Sequence, residues 1–112
     1  MGAQPRYTIF ILLQATEAWL RLPRTERDAL AGQHVIASLA RYPALQMRYF
    51  DAEAFSAACS DIMTIETENL TQYYDFIETL RDSPMIHAPF FRMVQIIPAI
   101  ENGFREFEAR QA

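Results

Sequence analysis

The sequence predicts an α+β fold of the ferredoxin-like type, a four-stranded antiparallel sheet with two main helices on one face. Apolar runs typical of strands alternate with helical periodicity in the order β-α-β-β-α-β, and that order specifies this sandwich. A further C-terminal helix is predicted after the fourth strand. A length of 112 residues suits one domain, so residues 1–112 are predicted to form a single ferredoxin-like unit.

The first strand is predicted at Tyr7–Ala15, a continuous apolar run of the kind found in strands buried on both faces. After a connector, the first main helix is predicted to start near Thr25, whose hydroxyl we expect to cap it. Pro43 disfavours helical geometry in the residue before it and so ends the helical region. The spacing i, i+3, i+4, i+7 predicts a core-facing stripe made of Gly32, Val35, Ile36 and Leu39.

Two strands are predicted in the middle of the chain, at residues 45–50 and 60–68. Between them, residues 51–58 are rich in alanine and are predicted to form a short helical turn. We expect Asp51 to cap this turn by accepting hydrogen bonds from the amides that follow it, and Phe55 to reach into the core.

The second main helix is predicted at Leu70–Arg81 and stops before Pro84. Its predicted core side carries Leu70, Tyr73, Tyr74, Ile77 and Leu80. The fourth strand is predicted at residues 90–97, broken by Pro98, with the last helix starting just after that proline. The predicted inner face of the last helix consists of Ile100, Gly103, Phe104 and Phe107.

This topology leaves one face of the sheet without helices, although the first and fourth strands are apolar on both sides. Monomeric proteins avoid an exposed apolar patch of that size. We therefore expect a second copy to cover it, so that the two sheets form a dimeric α+β barrel with an enclosed interior. The alternative is a lone sandwich whose own C-terminal helix covers the face.

Composition excludes several other classes. The ten basic residues are all scattered arginines and the net charge is −4, which argues against a nucleic-acid partner. Residues 57–112 carry most of the acidic excess, which indicates solvated helix faces. Cys59 is the only cysteine and fits a reducing cytoplasm. No apolar run approaches the ~18 residues of a membrane span, so we expect a cytoplasmic protein without a membrane partner.

Three segments carry a family resemblance: RYFDAEAF followed by SDI, then ETENLTQYYDFIETLRDS, then IIPAIENGFREFE. Together, over residues 5–108, they resemble the darcynin family of small bacterial proteins. The resemblance implies a dimeric α+β-barrel fold, in agreement with the patterning. It implies no activity, because the family has no assigned function and no catalytic residues that could be carried over.

Arg48 is the first candidate site residue, because it shares a strand face with Phe50. Antiparallel pairing of the second and third strands would bring it near Glu66 or Glu68. We expect either an ion pair with one of these carboxylates or a site for an anionic or carboxylate ligand, which suits the planar guanidinium.

Four other residues are candidates for the same ligand site. His87 lies in a loop between two prolines and is a candidate general base. Trp19 and Tyr49 could stack on a ligand or serve only in packing. Gln14 would supply a polar group at the end of the first strand.

No metal site or cofactor is predicted. Two separated histidines and one cysteine match no zinc spacing, and Cys59 has no neighbouring cation that would lower its pKa. Three isolated glycines, at positions 2, 32 and 103, form no phosphate-binding loop.

Three functions remain open. The first is a homodimer that binds a small apolar or aromatic ligand in a pocket between sheet and loops. The second is a non-catalytic homodimer with an interaction or structural role. The third, by analogy of fold alone, is a cofactor-independent enzyme of the monooxygenase or isomerase type.

Overall fold

A computed structural model describes residues 5–86 and 88–111. The predicted β-α-β-β-α-β order and the additional C-terminal helix are confirmed. The elements are β1 (Tyr7–Ala15), α1 (Glu17–Leu20), α2 (Arg24–Ala31), a π-helical segment (Gly32–Ile36), α3 (Ala37–Leu39), β2 (Gln46–Asp51), β3 (Asp61–Thr67), α4 (Leu70–Arg81), β4 (Phe91–Ile100) and α5 (Gly103–Gln111).

The four strands form one antiparallel sheet in the order β2-β3-β1-β4. Alternate residues of β1 point to the helical side, where Ile9 and Ile11 are buried opposite Ile65 and Met63 of β3. Phe76 of α4 is fully buried against this layer. The core therefore lies between the sheet and the helices, and the other sheet face takes no part in it.

The first helical region departs from the predicted stripe. It begins at Arg24 after Pro23, without the side-chain cap expected from Thr25. Val35 is buried, but Ile36 is exposed. A π turn contains more residues than an α turn, so the segment Gly32–Ile36 rotates its side chains away from the positions that a 3.6-residue period predicts.

Helix α4 has the predicted boundaries. Asn69 caps it, because its side-chain oxygen accepts a hydrogen bond from the backbone N–H of Gln72 at 3.0 Å. Leu70 and Tyr74, predicted to face the core, are exposed, because the helical repeat directs them away from the side of α4 that is buried. The buried residues of α4 are Phe76, Ile77 and Leu80.

The segment after β2 is a turn held by backbone atoms. The amides of Phe55 and Ser56 both donate to the carbonyl of Ala52 at 2.9 Å, while Asp51 is the last residue of β2. The predicted Asp51 cap is therefore wrong. So is the predicted core position of Phe55, which is 93% exposed.

Strand β4 continues through Pro98, contrary to the predicted break. Pro98 lies opposite Ile9 on an edge strand, where a residue without an N–H is tolerated. The last helix accordingly starts later, at Gly103. Asn102, with φ of 48°, makes the left-handed turn between β4 and α5.

Helix α5 does not cover the sheet. None of its described residues is buried, and Phe104 and Phe107 are 61% and 55% exposed, so their predicted inner face is wrong. The molecule measures 56 × 31 × 19 Å, and its radius of gyration of 15.9 Å exceeds the ~13 Å typical of a compact chain of this length. The lone sandwich covered by its own helix is therefore excluded.

Candidate functional site

The sheet face opposite the helices, here called the open face, remains uncovered in the chain. Strand register aligns Arg48, Thr64, Phe10 and Ile97 in one row across all four strands. Phe10 is 38% exposed although it lies on an inner strand. By the alternation of the strands, the open face consists of Thr8, Phe10, Leu12, Gln14, Gln46, Arg48, Phe50, Ile62, Thr64, Glu66, Arg92, Gln95, Ile97 and Ala99.

A groove of about 810 Å³ runs along the β2 side of the open face. Its floor is formed by side chains of β1, β2 and β3, and the turn that follows β2 contributes Phe55. Ile100 and Glu101 line it from the end of β4. Its volume lies within the range of small-molecule sites, ~300–1,000 Å³.

Arg48 lies in this groove without an acidic partner. Its expected ion pair with Glu66 or Glu68 is wrong, because both carboxylates pair with Arg6, at 3.4 and 3.9 Å. The guanidinium carbon of Arg48 lies 5.1 Å from the ring centroid of Phe50, a cation–π contact. Within residues 5–86 and 88–111 the Arg48 side chain makes no ion pair or hydrogen bond, so its donors face the groove uncommitted.

The other candidate residues do not gather around Arg48. Gln14 lies on the open face beyond the groove, and its amide nitrogen donates to the carbonyl of Ala15 at 3.2 Å. Tyr49, the neighbour of Arg48, points to the helical side and borders a small cavity there. His87 lies outside the described residues.

Trp19 packs on the helical side of the sheet. Thr16 caps the short helix α1 that carries it, accepting a hydrogen bond from its backbone N–H. The indole ring lies 5.4 Å from the Phe90 ring and 4.9 Å from the buried Phe91 ring, measured between centroids. These contacts give Trp19 a packing role at the end of the core.

Sequence reasoning missed part of the aromatic lining of the groove. It placed Phe50 on the strand face of Arg48, but the pairing of β1 with β3 was needed to add Phe10 to the same side of the sheet. Phe55 carried no such signal, because a phenylalanine in an alanine-rich segment indicates burial in the chain's own core.

Two carboxylates face each other where β2 and β3 begin to separate. Asp51 and Asp61 are directly paired in register, next to Tyr49. Burial raises the pKa of Asp61. The Ser60 hydroxyl donates a hydrogen bond to the Asp61 carboxylate at 2.7 Å, which lowers this pKa, and the negative charge of Asp51 raises it further. Burial, followed by the charges of Asp61 and Asp51, likewise raises the pKa of Tyr49.

Replacing Asp61→Asn is expected to stabilise the protein at pH 7, because it removes the like-charge pair and keeps an acceptor for Ser60. A raised pKa means that the ionised form of Asp61 weakens the fold. The gain in the free energy of unfolding, about 0.5 kcal/mol, should therefore be present at neutral pH. It should vanish as the pH falls below 3.8, the ordinary pKa of an aspartate. Urea unfolding at pH 7 and pH 3.5 measures it. Asp75→Asn on α4 is the control, and an equal gain at both pH values would contradict the assignment.

In residues 5–86 and 88–111, no three His, Cys, Asp or Glu side chains lie close enough together to hold a metal ion. Over those residues, no helix combines the length and apolarity that crossing a membrane requires.

Comparison with known sequences identifies relatives over most of the chain. A family model described as Darcynin, domain of unknown function, matches residues 1–112. Darcynin of Chromobacterium violaceum is 55% identical over 73 residues, which cover 65% of this chain and 92% of the relative. Darcynin 1 of Acinetobacter baumannii is 40% identical over 90 residues, covering 80% of this chain and all of the relative.

Solved structures share the fold at low sequence identity. A heme-binding protein from Thermus thermophilus superposes with a TM-score of 0.75 and 15% identity, over 96% of this chain and 46% of that one. A mutant chlorite dismutase from Candidatus Nitrospira defluvii gives a TM-score of 0.73 and 11% identity, over 91% of this chain and 42% of that one. The chain thus spans less than half the length of these structures.

Proposed function

The chain belongs to the Darcynin family, and on that premise we propose that it is a homodimer that binds a small aromatic ligand bearing a carboxylate. Two open faces enclose the ligand between them. Arg48 holds the carboxylate, while the phenylalanines of the groove contact the ring. The observation that carries the proposal is an arginine without an ion-pair partner beside the phenylalanines of a groove whose margins also carry Asp51, Glu66 and Glu101.

The surface area of the chain supports a dimer. A compact monomer of 13.0 kDa exposes about 6,300 Å². This chain exposes 7477 Å², an excess of about 1,100 Å². One partner in a standard interface buries ~800 Å², so the excess is of the size that a second copy would conceal.

The composition of the groove supports an anionic aromatic ligand. A guanidinium offers paired donors that match a carboxylate, and such charge-assisted hydrogen bonds strengthen when water is excluded. Phe10, Phe50 and Phe55 offer ring faces and edges around it. A wholly apolar ligand would leave Arg48 desolvated and unpaired inside the closed dimer, which is costly.

The heme-binding neighbour supports a small-molecule role for this scaffold, and no more than that. Heme iron in proteins is held by His, Cys, Met or Tyr. None of these side-chain types occurs among the described residues that line the groove. The groove therefore does not fit heme through a protein ligand to iron, and the proposed ligand is organic.

Native mass spectrometry of the protein as purified tests the proposal directly. We expect a mass of two chains plus an adduct of a few hundred daltons that is lost on denaturation. A bare dimer that also fails to bind 1-naphthoate would contradict ligand binding. That result would favour the second function, a non-catalytic homodimer in which the exposed Phe55 fills the interior.

Replacing Arg48→Met is expected to weaken binding of 1-naphthoate by roughly 10- to 100-fold, the effect of losing a hydrogen-bonded charge pair worth about 1.5–3 kcal/mol. Binding of uncharged naphthalene should change little, since the apolar stem of residue 48 is retained. Isothermal calorimetry measures both. Arg24→Met, on helix α2 and outside the groove, is the matched control. Equal losses for the acid and the hydrocarbon would show that Arg48 only supports packing.

A further inference from the structure

Strand β4 has opposite charges at its two ends, and both are on the open face. At its start, Arg92 is paired in register with Gln14 and is exposed. Just beyond its end, Glu101 lines the groove and also a second pocket of about 270 Å³, together with Glu66 and Glu106. In the part of the chain that the structure describes, neither Arg92 nor Glu101 forms an ion pair. Both charges are therefore available to a partner.

The strand register places these two charges symmetrically about Phe10. Arg92 lies opposite the residue four positions after Phe10 in β1, and Ile100 lies opposite the residue three positions before it. Glu101 follows Ile100 and so lies close to the level four positions before Phe10. Strands rise by about 3.3 Å per residue, so each charge is ~13 Å from the row of Phe10, in opposite directions along the strands.

Two sheets that pack face to face can be related by a two-fold axis along the strands or by one across them. An axis along the strands brings like ends together. The end that carries Glu66, Glu101 and Glu106 would then lie against the same end of the partner, and Arg6 at this end is already paired with Glu66. An excess of like charge at an interface disfavours that arrangement.

An axis across the strands brings opposite ends together. It places β4 over the partner's β4, which runs in the opposite direction. When the axis passes over the row of Phe10, the levels on either side of that row are exchanged, so Arg92 faces Glu101 of the partner subunit. The same contact occurs twice by symmetry. The length of an arginine side chain accommodates the roughly 30° between the strands of packed sheets.

We propose that the two protomers are related by this axis, with Arg92 of each chain paired with Glu101 of the partner subunit. The inference rests on the homodimer of the proposed function. Arg48 lies in the row of Phe10, so the axis also places it opposite the partner's Arg48 across the interior. A single ligand carboxylate between the two guanidiniums relieves their repulsion. Each dimer therefore has one ligand site, to which both chains contribute.

Charge reversal tests the pairing, with the dimer dissociation constant measured by analytical ultracentrifugation. Arg92→Glu or Glu101→Arg alone places like charges at both contacts and should raise this constant by roughly tenfold or more. The double variant Arg92→Glu/Glu101→Arg restores opposite charges and should return the constant to within about threefold of the unmodified protein. Arg24→Glu on α2 is the control, because it makes the same charge change away from the open face and should leave the constant unchanged.

The outcomes separate the pairing from the dimer itself. A double variant as weak as the two single effects combined, or single variants that dimerise normally, would overturn the pairing and leave the dimer intact. A monomeric unmodified protein would overturn both. Calorimetric titration with 1-naphthoate is the second measurement. One ligand per dimer is expected, and two per dimer would overturn the shared site.

Discussion

Replacing Phe10→Lys should convert the dimer into a monomer. Phe10 lies on β1, an inner strand, in the middle of the open face, so its side chain would be enclosed at the interface between two sheets. An ammonium group there would be buried in the same row as the guanidinium of Arg48, once in each protomer. An uncompensated buried charge costs about 3–5 kcal/mol, which corresponds to weakening of association by more than 100-fold.

Light scattering at micromolar concentration measures this effect, and circular dichroism checks that the monomer remains folded. Ile36→Lys is the matched control, because Ile36 is also exposed and apolar but lies on the helical side. The control should remain dimeric. If both variants dissociate, or neither does, the open face is not the interface.

Replacing Phe76→Ala should destabilise the fold by about 3–5 kcal/mol, as is typical when a buried aromatic side chain leaves a cavity. Phe76 is 0% exposed and its ring contacts the Tyr42 ring edge-on, with centroids 6.4 Å apart. The melting temperature should fall by roughly 15 °C. Because Phe76 lies on the helical side of the sheet, the folded variant should keep the oligomeric state of the unmodified protein.

Tyr74→Ala on the same helix is the comparison, since Tyr74 is exposed and its loss should cost within about 0.5 kcal/mol. Urea unfolding followed by circular dichroism gives both free energies. Similar costs for the two variants would mean that α4 does not pack through Phe76, and the assignment of the core to this side of the sheet would be wrong.

Much of the fold could be predicted from the sequence because its signals are local. The boundaries of β1 and α4 follow from an apolar run and a 3.6-residue period, and the element order follows from them. The predictions that failed required information that local patterns lack. The π-helical turn altered which side of the first helix is buried, and the edge position of β4 let it continue through Pro98.

The candidate site was predicted only in part. Strand alternation gave Arg48 and the open face, but not the pairing of Arg6 with Glu66 that leaves Arg48 without an acid. Trp19 and Tyr49 are on the other side of the sheet from the groove, although Tyr49 is next to Arg48 in sequence. Alternation along β2 places Tyr49 on the opposite side from Arg48, whereas no local pattern fixes which side of the sheet is reached by Trp19, which follows β1.

The sequence by itself determined the α+β class, the order of strands and helices along the chain, and an apolar sheet face that the two main helices could not cover. Those properties depend on residue type and spacing along the chain. Only the tertiary structure decided that the phenylalanines of α5 stay exposed, that Phe55 lines the groove, and that Arg48 makes no ion pair within the described residues. These depend on strand register and on the direction of two turns, because contacts between residues distant in sequence are set by the packing of the whole chain.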